Sequence, residues 1–264
     1  MHNLFGNKVE GAALDLAKNL ASSMRKGDIP VDIDCIARKC GVVRIEGKDM
    51  AASGYLLCDQ NNNRLVIQYR NSDPPSRRRF TIAHEVGHIL LSQALGARGP
   101  ENCARCSSGE EHEGLANHIA GELLMPEKFV VKDFRDKTRW SCTLWSAIEQ
   151  VADLYNVSKE AVVYRVLHLP HFLSILIKIS LDPSRRRIVG LECRSSRGND
   201  IRFLRPLLEE ADRIWREAVW TSTHEIEIST TAYDICTINV EGKAKPIYQK
   251  DGRSLPGYWI FGWC

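Results

Sequence analysis

Through the first 170 residues, the apolar positions recur mostly at the three- and four-residue spacing of amphipathic helices. The clearest run extends from Phe80 to Ala94, and its apolar face consists of Ile82, Val86, Ile89 and Leu90. Similar patterns predict further helices, at residues 8–26, 110–124, 144–155 and 158–169. Pro126 and Pro170 follow the ends of two of them, where proline prevents continuation. We therefore expect this part of the chain to be mainly helical.

Two β-prone runs interrupt the helical pattern. Residues Tyr55–Cys58 and Arg64–Tyr69 flank the polar segment DQNNN, which predicts a hairpin. Another strand is expected at Val42–Ile45, directly after Gly41 ends a short helix. The segment NSDPPSRRRF, which precedes Thr81, is expected to be a proline-containing loop with a basic end.

The pattern changes near Pro170. From residue 171 onward, strands are predicted for FLSILIKISL, RRIVGLECRSS, HEIEIST, YDICTINV and GYWIFGW, and a helix for LRPLLEEADRIWREAVW. The predicted fold class is α+β, and the chain is expected to have three parts, at residues 1–139, 140–170 and 171–264. The middle part resembles a helix-turn-helix because its two helices meet at Asn156. The last part is expected to be a smaller α+β domain with a regulatory or recognition role.

Composition places the chain among globular proteins, with 44% hydrophobic and 26% charged residues in a length of 264. No run approaches the ~20 apolar residues that cross a bilayer, and the first residues lack the features of a signal peptide. We therefore expect a cytoplasmic protein without a membrane partner. Nine cysteines, an odd number scattered along the chain, favour reduced thiols over a disulfide framework. The net charge of +3 is too small to indicate a dedicated nucleic-acid binder.

The segment TIAHEVGHILL has the pattern of a zinc-binding helix. His84 and His88 are four residues apart, so that on a helix both imidazoles project from one face toward a single point. Glu85 lies between them, where a carboxylate can act as a general base without ligating the ion. The alternative interpretation is that both histidines are ordinary polar residues of a packed core. A third ligand is needed to decide between the two.

The next predicted helix offers that ligand. Glu113 and Asn117 are four residues apart, and the small Ala116 would allow two helices to approach closely. We expect Glu113 to complete a Zn2+ site and Asn117 to hydrogen-bond a ligating imidazole. Glu110 and Glu111 compete for the ligand role, because acidic residues are common in the first turn of any helix.

Together, RRRFTIAHEVGHILL and EGLANHIAGELLMP resemble the ImmA/IrrE metallopeptidases, over roughly residues 31–126. The resemblance implies a zincin-like metallopeptidase domain in which Glu85 is the catalytic base. It also implies that Zn2+ is bound by His84, His88 and Glu113. Two positions depart from the family pattern, Leu115 and His118, and neither is a proposed ligand.

The resemblance also implies a substrate. Members of the family typically cleave a helix-turn-helix transcriptional repressor and so derepress stress-response or mobile-element genes, which makes the expected partner a DNA-binding protein. The strand at residues 64–69 is expected to present an edge to an extended substrate segment, as in related peptidases. Some members end in a GAF-like sensory domain, which the order of elements after residue 170 would permit.

A competing interpretation is a non-proteolytic regulator with a structural or vestigial zinc site, which binds DNA or a repressor through residues 144–169. A third is a component of a toxin–antitoxin-like pair that only binds its partner. The outward side chains of the second helix of this segment are expected to be Lys159, Glu160, Tyr164, Arg165 and His168. Because few of these read bases, packing or protein docking is favoured over DNA binding.

Several smaller features keep more than one interpretation. Cys103 and Cys106 have the spacing of half a structural zinc site, but a redox-sensitive pair or two plain loop thiols fit as well. The group that stabilises the oxyanion of a peptide-cleaving reaction has three candidates, His112, His118 and Tyr55. The three-arginine runs are expected to be solvated loop charges, except for Arg79, which leads into the histidine-bearing helix.

Overall fold

The structure is a computed structural model with a mixed α+β fold, which confirms the predicted class. It describes residues 2–59, 63–96, 110–172, 174–182, 187–195, 223–229, 235–244, 247–248, 254–255 and 257–263. Side chains are described for residues 9–59, 63–96, 112–172, 174 and 176. The candidate site therefore lies in a part of the chain where both backbone and side chains are described.

Seven α-helices occur in the described residues, and most agree with the sequence pattern. They are α1 His2–Ser22, α2 Ile33–Lys39, α3 Pro75–Ala94, α4 Glu110–Leu124, α5 Glu127–Trp140, α6 Leu144–Tyr155 and α7 Lys159–Leu167, with a short 3-10 helix at Lys26–Asp28. Gly41 follows α2 with a φ of 93°, a conformation that favours glycine after a helix end. Ser158 caps α7 as predicted, because its hydroxyl accepts the Ala161 N–H at 3.1 Å.

Two helical predictions were incomplete. Residues 75–80, the second half of the segment expected as a basic loop, instead begin α3, because Pro75 stands at the first helical position, where its missing N–H costs nothing. Helix α5 was not predicted at all. Its buried side chains are Val130 and Phe134, four residues apart, so the helical period was present in a segment otherwise dominated by charged residues.

The first sheet lies beside α3 and has three strands, β1 Val42–Lys48, β2 Gly54–Asp59 and β3 Arg64–Arg70. Its order is β1-β3-β2, with β3 parallel to β1 and antiparallel to β2. The predicted hairpin is thus confirmed. The expectation that residues 64–69 present a free edge is wrong, because β3 is the central strand and β2 lies at the edge.

Beyond residue 170 the described strands form two antiparallel sheets. They are β4 Ser174–Asp182, β5 Arg187–Ser195, β6 Thr223–Ser229, β7 Ile235–Ala244, β8 Ile247–Tyr248, β9 Ser254–Leu255 and β10 Gly257–Trp263. Five of them form a sheet in the order β5-β4-β10-β7-β6, and β8 pairs with β9. The five predicted strands are confirmed. The helix predicted at residues 204–220 lies outside the described residues.

The chain divides into two compact units. One comprises Met1–Phe134 with Gln150–Arg165, and the other comprises Arg135–Glu149 with Val166–Cys264. The three-part division at residues 139 and 170 remains a prediction. Among the described helices, none is long and apolar enough to cross a membrane.

Helix α3 is the centre of the first unit. It packs against α1, α2 and α4 and against strands β2 and β3. The face of α1 is made of small, buried residues, Ala13, Ala17 and Ala21, which suits close packing on neighbouring helices. The predicted apolar face of α3 is confirmed, since Ile82, Val86, Ile89 and Leu90 are all buried. This packing fixes which side of α3 the histidines occupy.

Candidate metal centre

Two histidines of α3 form the first half of the site. His84 and His88 lie one helical turn apart, and their Nε2 atoms are 3.0 Å from each other. The rings meet edge to face, with centroids 4.6 Å apart. His88 is buried, whereas His84 is partly accessible. The spacing read from the sequence therefore does bring both imidazoles to one point.

Helix α4 supplies the third side chain. The Glu113 carboxylate lies 3.2 Å from Nε2 of His84 and 3.4 Å from Nε2 of His88. The three donor atoms all lie within 4.8 Å of one another, which makes this group able to hold a metal ion. The side chains of Glu110 and Glu111, the competing ligands, lie outside the described ones. Glu113 is about half exposed, so the site is open on the α4 side.

Close contact between the two helices makes this geometry possible. A methyl group on Gly87 would lie 2.8 Å from the carbonyl oxygen and 3.0 Å from the Cα of Ala116. The first distance is shorter than real Cβ atoms show and the second is very tight, so α3 and α4 approach where residue 87 has no room for a side chain. The predicted role of Ala116 is supported, and Gly87 is its partner, which the sequence argument missed.

Asn117 sets the orientation of one imidazole. Its Oδ1 lies 2.9 Å from Nδ1 of His84, so Nδ1 donates its proton to this oxygen. The proton on Nδ1 leaves Nε2 with its lone pair directed at the Glu113 side of the site. A hydrogen bond of this kind, on the far nitrogen of a histidine, is the usual support of a metal-ligating imidazole.

Glu85 lies beside the three donors without joining them. It is 7% exposed, and the backbone N–H of Leu56 in β2 donates a hydrogen bond to its carboxylate. Burial raises the pKa of Glu85 to about 7, the charge of Glu113 adds to the rise, and the bond from Leu56 opposes it. A carboxyl group with a pKa near neutrality can both accept and return a proton.

The electrostatics of His88 suit ligation. Burial lowers the pKa of His88 to about 4, and the neighbouring His84 and His112 lower it further. His88 is therefore neutral at physiological pH and offers a lone pair without first losing a proton. Two imidazoles and one carboxylate form the donor set found at catalytic zinc sites with three protein ligands.

Comparison with known proteins connects this geometry to a family. Residues 37–167 match a peptidase family model described as the IrrE N-terminal-like domain. The chain is a member of the ImmA/IrrE family. No curated protein matches the chain significantly. A solved structure named "Mycobacterium tuberculosis transcriptional regulator" is similar, with a TM-score of 0.56 and 17% identity over 96% of this chain and 76% of that chain. At this identity the likeness shows a shared fold.

The three candidates for stabilising an oxyanion do not all lie at the candidate metal centre. His118 has its Nδ1 3.9 Å from the Glu10 carboxylate on α1. Tyr55 is half exposed on β2, and His112 lies near enough to lower the pKa of His88. Cys103 and Cys106 lie outside the described residues. The sequence also gave no reason to expect the contact between Glu85 and the backbone of β2.

The side chain of Arg165 does not lie where the sequence pattern predicted. It was predicted to face solvent on α7, but its side chain is only 2% exposed. Its guanidinium pairs with Glu122 of α4 and donates from Nε to the Met125 carbonyl at 3.0 Å. A helical signal was available, because Arg165 is three residues after Val162 and four before Leu169, both buried.

Arg79 is also held by hydrogen bonds to the backbone of other elements. Its guanidinium donates to the backbone carbonyl of Val31 at 2.8 Å and to that of Asn156 at 3.2 Å. Asn156 occupies the turn between α6 and α7, as predicted, with a φ of 51°. Arg79 therefore ties the start of the histidine-bearing helix to this turn.

Proposed function

We propose that this protein is a cytoplasmic, zinc-dependent endopeptidase with a zincin-like catalytic domain. The observation that carries the proposal is the convergence of donor atoms from His84, His88 and Glu113 within 4.8 Å, beside a buried Glu85. Three protein ligands leave a coordination position for water or substrate, which distinguishes a catalytic zinc site from a closed structural one. Membership of a peptidase family supports the same conclusion.

The residues of the chain have distinct parts in the proposed reaction. When bound, Zn2+ supplies a Lewis acid that polarises the peptide carbonyl and acidifies water. Glu85 removes a proton from the attacking water molecule and returns it to the nitrogen of the leaving amine. Asn117 holds the imidazole of His84 in the ligating orientation. The pKa of Glu85, raised by burial, makes both halves of this proton transfer accessible near neutral pH.

The proposed substrate is a DNA-binding repressor of the helix-turn-helix type, whose cleavage derepresses stress-response or mobile-element genes. The family membership and a structural neighbour that is named a transcriptional regulator support this role. Strand β2 replaces β3 as the edge that receives an extended substrate segment, because β2 lies at the border of the sheet next to Glu85. The part after residue 170 is proposed as a GAF-like regulatory domain.

The first test measures zinc per chain by elemental analysis in the wild type, His88→Ala and Glu113→Ala. We expect about one ion in the wild type and loss in both variants, since each variant removes one of three protein ligands. Glu85→Gln should keep the zinc but lose cleavage of a candidate repressor. If Glu85→Gln cleaves at the wild-type rate, Glu85 has no part in the mechanism.

The second candidate function is that of a non-proteolytic regulator that binds DNA or a repressor through α6 and α7. The name of the structural neighbour favours it, but the burial of Arg165 removes one of the few basic side chains expected on α7 to contact DNA. Fluorescence anisotropy with duplex DNA at several salt concentrations separates the two functions. Sequence-selective, salt-dependent binding together with intact repressor after long incubation would favour the regulator.

A further inference from the structure

Strand β2 contacts the Glu85 carboxylate with its backbone. The Leu56 N–H donates a hydrogen bond to this carboxylate, and a methyl group on Gly54 would lie 3.2 Å from Oε1 of Glu85. The space next to the carboxylate is therefore defined by one backbone donor and by the absence of a side chain at residue 54. Both features belong to the same edge strand.

The pairing of β2 shows which way these groups point. In an antiparallel pair, the N–H and C=O groups of successive residues alternate between the partner strand and the opposite side. Because the Leu56 N–H is bonded to Glu85, it points away from β3, and the amides of Tyr55 and Leu57 point toward β3. The donor to Glu85 thus lies on the free edge of the sheet, where nothing in the β2–β3 ladder needs it.

Gly54 is surrounded tightly enough to exclude any side chain. A methyl group there would lie 2.2 Å from Cγ2 of Thr81 on α3 and 3.1 Å from the Gln68 carbonyl oxygen. The first distance is a clash. Thr81, the residue that causes it, lies one helical turn before Glu85 on the same helix. Any residue larger than glycine therefore displaces the side chain of Thr81 or crowds that of Glu85.

We propose that Gly54 and the Leu56 N–H form a backbone seat that fixes the Glu85 carboxylate against the edge of β2, which makes Gly54 a positioning residue for the reaction. This inference rests on the proposed peptidase function. A glutamate has three rotatable side-chain bonds, and proton transfer requires its oxygen to be held to within about 0.5 Å. The seat removes this freedom on one side, and the packing of α3 removes it on the other.

The variants that test the seat separate packing from positioning. Gly54→Ala introduces the clash with Thr81 and should lower the melting temperature. Gly54→Ala combined with Thr81→Ser removes the clashing methyl group, so that the fold should recover while the 3.2 Å contact with Glu85 remains. Gly54→Val in the Thr81→Ser background enlarges the intrusion further. Gly11→Ala is the matched control, because a methyl group there has open space.

Peptidase kinetics with zinc-loaded protein give the first measurement. Both double variants should bind zinc like the wild type and keep KM within about threefold, whereas kcat falls by about 10- to 100-fold, more for valine than for alanine. A misplaced proton acceptor produces this split, because substrate binding does not depend on it. If Gly54→Ala with Thr81→Ser restores full kcat, Gly54 serves packing alone and the proposal is wrong.

Amide hydrogen exchange of Leu56 gives a second measurement that needs no substrate. In the wild type the Leu56 amide should exchange at least about tenfold more slowly than in Glu85→Ala or in Gly54→Ala with Thr81→Ser, as expected when a hydrogen bond is lost. The amide of Leu57, which faces β3, should stay slow in every variant. Equal Leu56 rates in the wild type and Glu85→Ala would overturn the seat. Protection that depends on Glu85, in a protein that cleaves nothing, would keep the seat and reject the peptidase.

Discussion

Helix α4 carries two polar clusters that differ in how their charges are completed. In its first half, the possible ligand atoms of Glu113 and of two histidines lie within 4.8 Å of one another. In its second half, Glu122 accepts from the Arg165 guanidinium and from the Glu127 N–H, the latter at 3.2 Å. The first cluster collects acceptors, whereas the second pairs each acceptor with a donor.

The difference shows how a ligand site can be told from a structural ion pair. Converging lone pairs are unfavourable until a cation or a proton enters, so a fold that holds them together is prepared for one. A buried salt bridge whose remaining atoms are hydrogen-bonded needs nothing further. Charge alone does not distinguish the two clusters, since both contain a glutamate on α4. The balance of donors and acceptors does.

Removal of Arg165 should have the largest effect on stability. Arg165→Ala leaves Glu122 buried without its charged partner, and we expect a loss of about 3–5 kcal/mol in the free energy of unfolding. The double variant Arg165→Met with Glu122→Gln removes both charges and should recover most of this loss. Urea unfolding of the zinc-free proteins measures both. Equal stability of Arg165→Ala and the wild type would show that the second cluster contributes nothing.

Substitution of Gly87 should affect both stability and metal binding. Gly87→Ala forces a methyl group to within 3.0 Å of the α4 backbone, so we expect a loss of about 1–3 kcal/mol and weaker zinc binding as Glu113 moves away. Gly114→Ala is the control on α4 itself. Its methyl group has open space, and the higher helix propensity of alanine should stabilise the protein by up to about 1 kcal/mol. Thermal unfolding and competitive zinc titration check the opposite signs, and a fully stable Gly87→Ala protein would contradict the close approach.

Asn117 should affect zinc affinity without affecting the fold. Asn117→Ala removes the acceptor for Nδ1 of His84, and we expect zinc affinity to fall by about 10- to 100-fold, as is usual for such supporting groups. Asn117 is exposed, so the melting temperature of the zinc-free protein should hardly change. Asn117→Asp keeps the acceptor and serves as the control. If chelator competition gives equal affinities for Asn117→Ala and the wild type, this hydrogen bond has no supporting role.

Cys40 is a partly buried titratable group outside both clusters, and it should show the smallest effect. Burial raises the pKa of its thiol to about 11, so its reactive thiolate is scarce at neutral pH and increases tenfold per pH unit up to about pH 11. Iodoacetamide at pH 8 should therefore label the exposed Cys35 and Cys142 before Cys40. Peptide mass spectrometry gives the order in which the cysteines are labelled. In urea the delay of Cys40 should disappear. Early labelling of Cys40 in the folded protein would contradict the burial.

The grouping of side chains at the candidate metal centre was largely predictable because its information is local. His84 and His88 share a helical period, and Glu113 and Asn117 repeat that period on the next helix. The residues that complete the arrangement were not predictable in this way. Gly54 and Leu56 act through backbone atoms, which leave no chemical signature in a sequence.

The fold, too, was predictable where the information is local in the sequence. The long periodic helices and the hairpin were predicted, but the parallel pairing of β1 with β3 joins strands that are distant in the chain. Helix α5 was missed because charged residues outnumber its two buried side chains, Val130 and Phe134. The prediction for Arg165 was wrong because arginine usually faces solvent, whereas this position falls on the buried face of α7.

The pairing of Glu122 with Arg165 also bears on how the protein is made. The two residues are 43 positions apart, which at about 5–20 residues per second separates their synthesis by roughly 2–9 seconds. During that interval the nascent chain already contains every proposed zinc ligand but lacks the counter-charge for α4. The proposed ligands are thus translated before the ion pair that stabilises the helix bearing one of them, and the candidate metal centre should mature only after Arg165 has left the ribosome.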